Sequence, residues 1–266
     1  MWRRQNKDCI TKQHINFKNL IHRAGTSAKK RGGQVATQVS SSPLGCKKMP
    51  IPTTQQYQQL ANFPMSSWAY WSVDFDDPNS LEANGADIYP FLLQNRTVMK
   101  CQNVFLGINR SEGRLQHQVH LYQNFHTVNH AGDLTLKFYL QELSLPNLLG
   151  SFMTDLSDEV NNSAVNVNIY PHHIEILLEQ LQILNCNEYK VMCFGTKCFD
   201  SLVSGLNLNR QNINILPPNI RTINTLVMLT NGLNVRLNIF GLWHYSCRGG
   251  NHRNIIELRK QLIALN

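Results

Sequence analysis

"PHHIEILLEQLQILNCNEYKVMCFGTKCFDSLVSGL", residues 171–206, reads as a helix, a turn, a buried strand and a second helix, and that succession decides the fold class. Ile174, Leu177, Leu178, Leu181 and Leu184 recur at i, i+3, i+4, i+7 and i+10, which is one face of a helix. Pro171 suits its first turn, where an N–H has no intrahelical partner to lose. "YKVMCFG" (189–195) is then a short, nearly continuous apolar run closed by glycine, and "TKCFDSLVSGL" starts the next helix. Outward from this core the alternation continues. "VFLGI" (104–108), "FMT" (152–154) and "VRLNIFGLW" (235–243) have strand length. "GDLTLKFYLQEL" (132–143) carries Asp133 as a plausible N-cap, and "NHRNIIELRKQLIALN" (251–266) puts Ile255, Leu258, Leu262 and Leu265 on one stripe. Strands apolar throughout and separated by helices imply a parallel sheet covered on both faces. The expected fold is α/β, a three-layer sandwich around a central, mostly parallel four-stranded sheet.

Charge divides the chain. Eleven of its 25 Lys/Arg and one of its 17 acids, Asp8, lie in residues 1–50, leaving fourteen basic and sixteen acidic residues beyond. The excess of positive charge thus belongs to an arm with few large apolar residues and no sustained period, which is not expected to fold alone. Its composition fits a transit peptide, a phosphate-gripping tail, or translation upstream of a later start at Met49 or Met65. Residues 51–97 form a lead-in expected to pack on the core, and 98–266 the α/β domain. No run of about 18 apolar residues exists, and no charged-then-apolar signal sequence opens the chain. A protein of the cell interior is expected, bacterial-type cytoplasmic, with organellar import by the arm as the alternative. The seven cysteines make no C-x-x-C pair and are read as reduced, mostly buried thiols.

In parallel sheets ligands gather beyond the carboxyl ends of the strands, where loops and helix N-termini converge. The residues to read for chemistry are therefore Asn109 and Arg110, Asp155, Gly195 to Lys197, and His244 to Arg248. Four histidines, His117, His120, His126 and His130, lack the paired ligand spacing of a zinc site. Gly195-Thr196-Lys197 lacks the long glycine-rich stretch of a phosphate loop. No metal and no cofactor are expected.

With these rim residues in view, the chain resembles the uracil-DNA glycosylase superfamily, in its mismatch-specific thymine/uracil branch. Gly107-Ile108-Asn109-Arg110 is similar to that branch's G-I-N-P motif after strand one, and His244-Tyr245-Ser246 to its N-P-S or H-P-S motif after the last strand. "MTDLSDEVNNSAVN" and "VMCFGTKCFDSL" look like the segments between. The resemblance spans roughly residues 98–266. It implies a monofunctional DNA glycosylase that flips a damaged or deaminated base out of the duplex and hydrolyses its glycosidic bond, beginning base excision. It implies that Asn109 positions the attacking water and His244 donates a hydrogen bond to the departing base. Gly107, Ile108, Phe125 and Asp155 would line the base, with Phe125 stacking on it. Arg110, Lys197, Ser246, Arg248 and Arg253 would meet DNA, Arg248 at the wedge position and Ser246 and Arg253 at phosphates. The partner is double-stranded DNA, and the chain is expected to act as a monomer away from membranes.

Arg110 and Tyr245 each stand where the branch has a proline, which removes rigidity from both loops. Asp155 stands where relatives carry Asn or Lys, and a carboxylate only accepts hydrogen bonds, so it favours a base edge that offers an amino group. Taken residue by residue, Asn109 is also a common strand-ending type, His244 a common core histidine and Phe125 a common core ring. Two other functions therefore stay open: a non-catalytic nucleic-acid-binding member of the same fold, and a nucleoside or nucleotide hydrolase.

Overall fold

The structure is a computed structural model and describes residues 50–72, 80, 88–110, 122, 124–126, 131–142, 144–161, 166–245 and 252–266. Its first helix, α1 (Thr54–Leu60), begins at a reciprocal cap. Gln56 N–H donates to Thr53 Oγ1 at 3.2 Å and Thr53 N–H to Gln56 Oε1 at 2.7 Å, so two end groups without helical partners are satisfied at once. A two-residue strand β1 (Ser67–Trp68) and helix α2 (Tyr89–Gln94) follow. The alternating body then runs β2 (Lys100–Gly107), α3 (Ala131–Lys137) widening into a π-turn over Phe138–Glu142, β3 (Ser151–Asp155), α4 (Pro171–Leu184), β4 (Glu188–Phe194) and α5 (Thr196–Gly205). It closes with β5 (Asn214–Leu216), β6 (Ile220–Met228), β7 (Asn234–Leu242) and α6 (His252–Leu265). Helix α4 ends at Asn185, whose φ of 54° takes the left-handed turn that Asn tolerates better than most residues.

All seven strands form one sheet in the order β1-β3-β2-β4-β7-β6-β5. The four strands legible in the sequence, β3, β2, β4 and β7, are its neighbouring centre and run parallel to one another. The sheet is wider than the four strands expected, and three of its six pairings are antiparallel. The cause lies in the added strands. β6 is half exposed and alternates, so it lacks the continuous apolar run of a strand covered on both faces, and β1 and β5 are too short to show a period.

Successive side chains of the central strands supply two apolar clusters. Val104, Leu106, Val191 and Cys193 belong to one, packed with α1, α4 and α5. Phe105, Met153, Met192 and Phe194 belong to the other, packed with α3 and α6. Helices thus cover both faces. The lead-in is part of this unit, since Ala69 N–H donates to Ser151 O at 2.8 Å and Tyr57, Leu60 and Trp68 are fully buried. The chain from Lys48 onward is one compact unit, and the arm lies outside the described residues. No described helix is long and apolar enough to cross a membrane.

Candidate functional site

The parallel register brings the carboxyl ends of the central strands to one rim. Gly107 pairs with Asp155, Leu106 with Cys193, and Phe194 with Leu242. Asn109 and His244 each emerge two residues beyond their strands on this rim. With β4 between their strands, their backbones leave the sheet about two strand spacings apart, roughly 10 Å.

Gly107 is tightly enclosed. A methyl group there would overlap Asp155 Oδ1 and come within 3.3 Å of both Asp155 Cγ and Phe125 Cζ. Only a residue without a side chain lets the buried Asp155 carboxylate lie across the end of β2. Asn124 holds that carboxylate, donating from Nδ2 to Asp155 Oδ2 at 2.9 Å and to Met65 O at 2.7 Å. The next residue, Phe125, has a φ of 65°, a conformation a bulky side chain rarely adopts. The surroundings enforce it: Trp71 Nε1–H donates to Phe125 O at 3.1 Å, and His126 Nε2 sits 3.0 Å from Trp68 O. Below the rim Cys198 Sγ lies 3.3 Å from the carbonyls of both Leu106 and Gly107, and burial pushes its thiol pKa well up, so it serves as a neutral donor to the strand end.

Ile108 is buried in the core and its carbonyl accepts from Ser157 N–H. Asn109 is half-buried, and its Nδ2 donates to the carbonyls of Arg110 and Asn161, each at 2.7 Å. These two acceptors fix which end of the amide is nitrogen and leave Oδ1 with no hydrogen-bond partner among the described residues. Arg110 bridges to Val160 as a one-residue strand, and its buried Nε has no hydrogen-bond partner among the described residues. Across the rim, Gly195 has a φ of 85°, and a Cβ there would meet His244 Cδ2 at 3.5 Å, so the imidazole lies over the glycine. His244 is half-buried and stacked on Tyr245 at 4.7 Å. Tyr245 is buried and packs on Phe194 (4.8 Å) and Phe125 (6.2 Å). Lys197 is half-buried in the first turn of α5. Ser246 and Arg248 lie outside the described residues, as does the Arg253 side chain, whose backbone belongs to α6.

Sequence reasoning brought together Gly107, Asp155 and Phe125, but missed Asn124, which holds the carboxylate, and Asn161, which orients the amide. Neither pairing leaves a trace in spacing, because the partners are 31 and 52 residues apart. It also missed a cluster of Asp158, His172 and His173 at the start of α4, whose ligand-capable atoms lie within 4.8 Å of one another. His173 Nδ1 accepts the Tyr170 N–H at 3.1 Å, so the neutral ring carries its proton on Nε2, which faces Asp158 Oδ1 at 3.5 Å. A cation on Nε2 would need the opposite tautomer, with loss of the helix cap, and would face the positive end of a helix. Burial, with His172 beside it, lowers the His173 pKa. The cluster therefore favours a neutral His173 and is ill suited to a metal. A separate cleft of about 310 Å³ opens among Gln102, Asn103, Lys190 and Asn238, toward the other end of the parallel strands. Asn103 and Asn238 spend side-chain donors on Asn147 O and Glu188 Oε1 there, each at 2.6 Å.

Among known proteins, no family model and no curated protein matches this chain.

Proposed function

We propose that the chain is a metal-independent DNA glycosylase of the uracil-DNA glycosylase type. The observation that carries this reading is the fixed Asn109 amide, whose Oδ1 is left to accept a hydrogen bond from water at the same rim as the His244 imidazole. In the proposed reaction a flipped nucleotide enters the rim, and the bond between C1′ and the base nitrogen breaks as negative charge gathers on the base. The hydroxyl of water joins C1′ and its proton ends on the base. Asn109 holds the water, and His244 donates to the base oxygen that gains charge. A preorganised donor of that kind contributes about 3 kcal/mol. Asp155, buried and fixed by Asn124, would brace the Gly107 end of β2 beneath the base and not touch it. Arg110, beside Asn109 at the rim, would meet a phosphate through its guanidinium.

A second reading draws on Tyr245. Phe125 is 1% exposed, with the Tyr245 ring 6.2 Å from it, so it offers a base no open face to stack on, which favours a nucleic-acid-binding protein that keeps the fold and does not cut. A panel of duplexes separates the two. They would carry uracil opposite G or A, or hypoxanthine, xanthine or thymine opposite G, with alkaline cleavage of abasic sites as the readout. The glycosylase reading expects release from at least one duplex and a loss of roughly a hundredfold or more in Asn109→Ala and in His244→Ala. Duplex binding without release, unchanged by Asn109→Ala, would leave the second reading.

A further inference from the structure

The far side of the sheet carries a different feature. β6 is nine residues long, yet β5 covers only its start, with Leu216 opposite Ile220 and Asn214 opposite Thr222. In an antiparallel ladder successive residues aim their backbone groups alternately at and away from the partner strand. The Leu229 N–H to Leu233 O bond of 2.8 Å sets the phase, so Val227 and Thr225 bond to β7 while Asn224, Leu226 and Met228 aim outward. Among the described residues nothing pairs with that stretch. Leu226 is 67% exposed and Met228 68%.

Edges are ordinarily guarded by lysines, prolines or bulges. Here residues 222–235 contain no charged residue and no proline, and β6 and β7 stay in one register over all eight of their pairs. We propose that this edge joins the same edge of a second copy of the chain, antiparallel, about a two-fold axis at Leu226. Leu226 then faces the partner's Leu226, and Asn224 faces the partner's Met228. The open window is bounded by β5 at Thr222 on one side and by the Leu229–Leu233 hairpin on the other. A two-fold through its middle residue maps that window onto itself, as an isologous contact requires. Charge does not oppose the pairing. The nearest cation on that face, Arg236, lies one strand inward opposite Leu226, so the two copies of it would stand three strand spacings apart, about 14 Å, beyond the screening length of about 8 Å. The pairing joins two seven-stranded sheets into one, in place of the monomer predicted from the sequence.

Sedimentation of the full chain from nanomolar to tens of micromolar concentration tests the proposal. The wild-type mass is expected to double within that range. Leu226→Lys sets two ammonium groups against each other at the axis, and its folded chain, checked by circular dichroism, is expected to remain a single copy throughout. Ile263→Lys, on the exposed face of α6, is expected to behave as wild type. A wild-type chain of single mass at every concentration overturns the proposal. So does a dimer that survives Leu226→Lys, or one that is lost equally in Ile263→Lys.

Discussion

Substituting Gly107 by alanine tests the contact on which the rim is built. The added methyl overlaps Asp155 Oδ1 and presses on Asp155 Cγ and Phe125 Cζ at 3.3 Å. Phe125 is held by its pinned backbone and Asp155 is 3% exposed, so neither has open space to retreat into. Overpacking of this sort costs about 1–3 kcal/mol. If the carboxylate is driven off Asn124, a hydrogen bond to a charged group worth about 1.5–3 kcal/mol goes with it. Loss of glycine freedom in the unfolded chain returns about 0.4–1 kcal/mol. The net loss is about 3 kcal/mol, or roughly a 6–12 °C fall in Tm for a unit of this size. Urea unfolding followed by tryptophan fluorescence measures it. The decisive arm is a double-mutant cycle with Asp155→Ala, which removes the obstructing carboxylate. Gly107→Ala is then expected to cost less than half as much, a coupling above about 1 kcal/mol. Equal costs in both backgrounds would refute the contact, whatever their size.

Two further outcomes follow from the same geometry. Because burial lowers the His173 pKa, the fold prefers the neutral ring: stability should be full above the ordinary histidine range, about pH 6.5, and decline as pH falls through the window down to the lowered folded value. His173→Gln keeps an acceptor for the Tyr170 N–H and cannot titrate, so its unfolding free energy should change less between pH 8 and pH 5.5, as compared by urea titration at the two pH values. A chain begun at Met49 should unfold like the full chain, whereas one begun at Met65 loses Tyr57 and Leu60 from the core. That loss should cost about 4 kcal/mol, measurable by thermal denaturation, with part of it from the Tyr57 ring contacts to Trp68 (5.3 Å) and Tyr122 (5.7 Å).

Local pattern alone determined a good deal of this protein. The stripe from Ile174 to Leu184 and the apolar runs at 104–108, 152–154, 189–195 and 235–243 located α4 and the four parallel strands, because burial on both faces forces composition and period within a few consecutive residues. The same runs located the rim, since a parallel strand carries its carboxyl end to the same side as its neighbours. Tertiary structure alone decided the rest. β6 was hidden because one of its faces meets solvent. The Asp155 carboxylate lies over Gly107, Asn161 turns the Asn109 amide and Tyr245 fills the space beside Phe125, and each of these joins residues dozens of positions apart. A strand reports its own burial in its own residues. What stands across from its end is set by the packing of other elements, which no window of neighbouring residues records.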